Sequence, residues 1–214
     1  MKLEKYIPIK RLFKFFYQTR PVVPRYSTFW PVSQLLNFLK TWHPLDSLSL
    51  RQLTLKTIAL LALTGSDRGQ TLHLINVNNI SMENGLNFVI KDRIKTTRKV
   101  LRPKIVSCVS SDIEEFNVEK YVFEYIEKTK EFRKDGQLFI SWKTKKPVSR
   151  PTIARWLKLV LKLAGIDTSK FTSHSYRGAG LSHAFFKGAP IDKIVTAGNW
   201  TNVNIFNKFY RVPS

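Results

Sequence analysis

Two segments, HSYR at residues 174–177 and AGNWTNVNIFNKFYRV at residues 197–212, decide how this chain reads. His174 and Arg177 stand at i and i+3, so a helix puts an imidazole and a guanidinium on one face. Trp200 follows, and Tyr210 comes ten residues after it. Two phosphate-gripping side chains at helical spacing, then a tyrosine, are the groups that cleavage of a DNA strand by a tyrosine nucleophile requires.

Working back from this stretch, Ser173 is placed to cap the helix that carries His174 and Arg177. An earlier helix is expected from Ser149, with Pro151 in its first turn and Gly165 at its end. From Asp112 to Glu131 seven acidic and three basic residues surround Val118, Tyr121, Val122, Tyr125 and Ile126 at helical spacing. Those charges read as a solvated face turned away from DNA. Residues 80–82 and 86–90 flank Asn84-Gly85, a hairpin turn signal, and a third strand is expected within Lys99–Val109. Two packing helices precede the sheet, marked by Leu35, Leu36, Phe38, Leu39 and Trp42 and by Leu50, Leu53, Leu60 and Leu61. The chain is therefore expected to be mainly α with a small antiparallel β-sheet, an α+β fold. Residues up to about 30, with Pro21, Pro24 and then Pro31, read as an extended basic linker. The division expected is a basic lead-in and partial helical region at 1–47, then the domain carrying the site at 48–214.

Composition agrees with a polyanionic partner. The 36 Lys and Arg against 15 Asp and Glu give a net charge of +21, a field that favours nucleic acid over neutral metabolites. A ribosomal or chromatin protein has the same balance. The 43% apolar fraction, with 15 Phe and 5 Trp, argues against a disordered basic tail. A single cysteine, Cys108 in the apolar stretch IVSCV, excludes an internal disulfide and a cysteine-rich zinc site. His43, His73, His174 and His183 lack partner carboxylates at ligand spacing, so neither metal nor cofactor is expected. The longest apolar run, Ile58–Leu63, is far below the roughly 20 residues a bilayer span needs, and no membrane role is expected.

Together the C-terminal segments resemble the tyrosine recombinases, or phage integrase family, over about residues 48–214. The wording WTNVNI at 200–205 is close to Cre-type members, and LLALTGSDRGQTL at 60–72 looks most like recombinases of eukaryotic DIRS-type or Crypton-type mobile elements. The resemblance implies the tyrosine recombinase catalytic-domain fold, double-stranded DNA as partner, and a homo-tetramer on DNA. It also implies a nuclear location, or the nucleoid in a prokaryote.

A phosphodiester under attack gains negative charge on its non-bridging oxygens, which calls for fixed donors. Arginine meets that need with a planar, permanently charged fork. Arg68 matches the family's first arginine and Arg177 its second; Arg68 alone also reads as an exposed helix-start residue. His174 takes the proton-transfer and positioning place. Trp200 stands where members use His or Trp to donate a ring N–H, and it reads equally as an aromatic core residue. Lys95, in DRIKTTRK, fits the hairpin lysine that protonates the leaving 5′ oxygen, with Lys91 and Lys99 as competitors. Residues 91–104 carry seven basic side chains and one acidic, so Lys91, Arg93, Arg98, Lys99 and Arg102 are expected to contact phosphates. Tyr210 is the expected nucleophile. Departures exist as well: Gln70 and Thr71 stand where many relatives carry a carboxylate, and the Trp200-to-Tyr210 spacing is one residue longer than the Cre-type wording. A DNA binder without catalysis and a type IB topoisomerase are the alternatives.

Overall fold

The computed structural model describes residues 7–19, 23–65, 69–83, 85–92, 104–108, 111–198, 200 and 202–212. Its centre is a mostly apolar helix that is buried on every side. Ser49 opens it with a capping box: its hydroxyl accepts from the Gln52 N–H at 3.3 Å, and Gln52 Oε1 accepts from the Ser49 N–H at 3.1 Å. Every residue from Leu53 to Ala62 on this helix, Leu50–Thr64, is buried. A helix this apolar is stable only when covered on all sides, and Val118–Thr129, Arg150–Leu163 and Ser175–Phe186 supply the cover.

In chain order the α-helices among the described residues are α1 (Ile7–Thr19), α2 (Val32–Lys40), α3 (Leu50–Thr64), α4 (Gly69–His73), α5 (Val118–Thr129), α6 (Arg150–Leu163), α7 (Ser175–Phe186), α8 (Ile191–Ala197) and α9 (Val203–Phe209). Between α4 and α5 lies an antiparallel sheet of β1 (Ile80–Ser81), β2 (Asn87–Ile90) and β3 (Lys104–Ser107), in the order β1-β2-β3. Ile80 pairs with Phe88 and Phe88 with Val106, and the alternation sends Phe88, Ile90 and Val106 into the core. The β1–β2 turn contains Gly85 at φ 104°, a conformation glycine adopts without strain. Because Ile90 pairs with Lys104, β2 ends and β3 begins at the same end of the sheet.

One hydrophobic cluster runs from Phe29 to Ala179 and draws residues from both sides of position 47. Leu181, Ile194 and Phe206 form a second, smaller one under α7, α8 and α9. Cys108 is buried in the first. The apolar stripe of α5 faces inward while its charges pair outside, Lys120 with Glu114 at 2.8 Å and Lys128 with Glu124 at 3.1 Å. Helix α6 ends as its sequence indicates: Gly165 has φ 74° and the Ile166 N–H reaches back to the Leu161 carbonyl at 2.9 Å.

The lead-in departs from the expected extended linker. Residues 7–19 form α1, since Ile9, Leu12 and Phe16 recur at helical spacing and no Pro or Gly falls between 9 and 19. Prolines break the chain only after that. Phe29 and Trp30, expected in the linker, are buried among the core residues. No helix of the described residues is long and apolar enough to cross a membrane.

Lys56, in the middle of α3, is fully buried. Its ammonium donates to the Trp42 carbonyl at 2.8 Å and to the Tyr121 hydroxyl at 2.7 Å. Burial pushes its pKa down from 10.5 to about 8 against an opposing pull from Glu115. Burial, with Glu115 and Glu114, pushes Tyr121 up from 10.0 to about 12. The folded chain thus releases the lysine proton near pH 8, while the unfolded chain holds it to about 10.5. Between those values the unfolded state binds more protons, so stability rises with pH. Above about pH 10 the sign reverses, because the folded state keeps a Tyr121 proton that the unfolded state gives up. The urea midpoint should therefore climb from about pH 8 to a maximum near 10 and then fall, and Lys56→Met should remove the climb. A flat midpoint across that window in the parent chain excludes a desolvated lysine.

Candidate active site

The turn that launches α7 is built by Thr172. Its carbonyl accepts from the Ser175 N–H at 2.9 Å and from the Ser175 hydroxyl at 2.7 Å. The Ser175 oxygen in turn accepts the Trp30 indole N–H at 2.8 Å, in a buried position. The helix starts one residue later than a Ser173 cap would set it, and His174 occupies the N-cap position with helical φ −71° and ψ −21°. His174 and Arg177 keep their i, i+3 relation across the first turn.

From that turn the two side chains diverge in environment. His174 is exposed and lines a cleft of about 250 Å³ with Tyr210, Phe209, Arg25, Tyr26 and Phe29. Arg177 is only 6% exposed. Its guanidinium donates to the Gly198 carbonyl and lies 4.9 Å from the centroid of the Trp200 ring. Trp200 packs at 4.6 Å, centroid to centroid and tilted 35°, against Tyr210. The Tyr210 ring also lies parallel to Phe29, with centroids 6.4 Å and planes 5° apart. A continuous run of contacts therefore joins Arg177, Trp200, Tyr210 and Phe29.

Tyr210 closes α9 just past Phe209 and packs against both hydrophobic clusters, at the seam between them. The extra residue between Trp200 and Tyr210 is absorbed there: Phe209 and Tyr210 both line the cleft, and Tyr210 is the one in contact with Trp200. Trp200 packs, partly buried, against the smaller cluster, and the Arg177 guanidinium lies over its ring. A methyl group at Gly198 would overlap its ring.

Of the six residues assigned to the chemistry, His174, Arg177, Trp200 and Tyr210 are brought together. Arg68 and Lys95 lie outside the described residues, as do Arg93, Arg98, Lys99 and Arg102. Lys91 is exposed just beyond β2. The end of α3, four residues short of Arg68, abuts α7: a Cβ on Gly180 would stand 2.9 Å from the Leu63 carbonyl, one turn from Arg177. The residues that the sequence reading missed are Arg25, Tyr26 and Phe29. A signal for them existed in GAG at 178–180, directly after the HSYR segment, since consecutive small residues on a helix mark a close approach.

Chemically, the cleft brings two phenols, Tyr26 and Tyr210, together with the His174 imidazole and the Arg25 guanidinium, and among the described residues no carboxylate lines it. It suits a nucleophilic attack by Tyr210 on a group that carries or develops negative charge.

A model of the phage integrase family matches residues 28–213. No curated protein matches the chain. Among solved structures, XerA recombinase is similar at TM-score 0.65 and 16% identity, over 98% of this chain and 73% of that one. XerH recombinase bound to a palindromic difH substrate, in a post-cleavage complex, is similar at TM-score 0.63 and 15% identity, over 84% of this chain and 48% of that one. A lambda integrase dimer bound to a COC′ core site is similar at TM-score 0.54 and 14% identity, over 86% and 47% respectively. At these identities the likeness is one of fold. The chain spans about half the length of the XerH and lambda integrase chains it matches.

Proposed function

The chain belongs to the phage integrase family, and from that premise we propose that it is a tyrosine recombinase that breaks and rejoins double-stranded DNA through Tyr210. The observation that carries this reading is the contact of Tyr210 with Trp200, on which the buried Arg177 rests, at a cleft shared with His174. The Tyr210 oxygen attacks a backbone phosphorus, a 3′-phosphotyrosine forms, and the 5′ oxygen leaves with a proton from Lys95. A 5′ hydroxyl then attacks the phosphotyrosine, and Tyr210 regains its proton. One ester replaces another, so the exchange needs no external energy source. Arg68 and Arg177 take the non-bridging oxygens, Trp200 adds an indole N–H, and His174 moves protons and holds the phosphate.

Partner and origin follow the same reading. XerH and lambda integrase are structures bound to DNA, the latter also as a tetramer on a Holliday junction, which supports a DNA-bound tetramer here. A Tn1549 transposon integrase in complex with circular intermediate DNA is similar at TM-score 0.56 and 12% identity. That likeness supports a mobile-element origin; the wording of residues 60–72 points to a DIRS or Crypton type, and a DNA substrate to action in the nucleus, or the nucleoid in a prokaryote.

The test is a denaturing gel of the chain after incubation with a nicked DNA duplex, read for a covalent protein–DNA band. The reading fails if no such band forms on any duplex of a pooled library. Binding should also be steeply salt-dependent: with roughly six to ten phosphates contacted, affinity should fall about a thousandfold or more between about 50 and 200 mM salt. A flat response in a filter-binding titration would remove the basic surface from the account.

A further inference from the structure

We infer that the segment preceding α2 is a positioning strap for the nucleophile, with Phe29 as the residue that sets the Tyr210 ring; the inference rests on the recombinase reading and deepens it. Residues 23–30 run from the cleft wall into the core, and they are anchored at both ends. Tyr26 bonds the Thr172 hydroxyl at 3.0 Å and packs on Phe171 at 5.7 Å, while the Trp30 indole bonds Ser175. Between those anchors Phe29 lies 4% exposed, its ring parallel to that of Tyr210.

The opposite edge of Phe29 fits against Gly178, the residue after Arg177. A methyl group at 178 would overlap the Phe29 ring. One flat ring is thus seated against the α7 backbone and carries the phenol on its face. Its position ties Tyr210 to the same turn that carries His174 and Arg177. Trp200 packs on the phenol as well, at 4.6 Å between centroids. Contact with two aromatic rings limits rotation of Tyr210 about its side-chain bonds, which holds its oxygen in one place. A displacement of about 1 Å at a reacting atom can lower a rate about a hundredfold.

The variant that reads this is Phe29→Leu, which keeps an apolar side chain in the core but removes the flat face. Adduct formation on a nicked duplex is expected to slow by about tenfold to a hundredfold, with DNA affinity and thermal midpoint changed little. Nitration of Tyr210, followed by peptide mass mapping, is expected to speed up severalfold. Gly178→Ala displaces the same ring from its other edge and should give the same pattern, which keeps the test available if Phe29→Leu folds poorly. Wild-type rates of both adduct formation and nitration in either folded variant overturn the strap. If the parent chain forms no adduct at all, the recombinase reading falls, and the nitration comparison alone decides whether Phe29 sets the Tyr210 ring.

Discussion

Tyr210→Phe is expected to abolish the covalent protein–DNA band and leave DNA affinity unchanged. The substitution removes a single oxygen. The ring that stacks on Phe29 and touches Trp200 stays, and so does its packing at the seam of the two clusters. No fold change accompanies the loss. The cleavage rate should drop by at least about four orders of magnitude, roughly 5 kcal/mol in barrier, measured as single-turnover adduct formation on a nicked duplex. Two other tyrosines lie close by and sharpen the test. Tyr176 is fully buried, its phenol is pushed well above its ordinary pKa by burial, and it donates to the Leu157 carbonyl at 3.1 Å, so it has no route to a phosphate. Tyr26 lines the same cleft. A band that survives Tyr210→Phe and vanishes with Tyr26→Phe would move the nucleophile to the strap.

Arg177→Ala should raise the barrier by about 3 kcal/mol or more, with much less effect on DNA affinity. The reason is geometric. Arg177 is almost fully enclosed, and bonds to the Gly198 carbonyl while resting on Trp200, so its charge is fixed before substrate arrives. A donor that need not reorganise acts mainly on the charge that develops during reaction. Exposed lysines and arginines, able to follow a phosphate backbone, would act on binding instead. Arg177→Lys should recover little, because a point charge on a flexible stem cannot hold the Gly198 carbonyl and face a phosphate together. Single-turnover cleavage set against filter binding separates the two effects. Equal losses in both would make Arg177 an anchoring residue.

Much of this site was legible from spacing. His174, Arg177, Trp200 and Tyr210 lie within 37 residues of one another, in and around α7 and α9. The hairpin followed from Asn84-Gly85, and α5 and α6 followed from their apolar periods. What escaped was non-local. Nothing near Phe29 in sequence says that it meets Tyr210, and the prolines around it read as a linker because their effect is local. The Ser173 cap failed for a related reason: Ser175 is held by Trp30 from far upstream, and that bond shifts the helix start. Small residues at 178–180 carried the missing information, but they state that something comes close without saying what.

The strap and Tyr210 bring segments that are far apart in the sequence against each other. Trp30 and Ser175 are 145 residues apart, Tyr26 and Thr172 are 146 apart, and Phe29 meets Tyr210. Closing loops of that length is entropically costly and tends to come late in folding. A nascent chain still threading through the ribosome can complete α2 to α6 and yet hold no reactive centre. The candidate site is therefore complete only once these long-range contacts have closed.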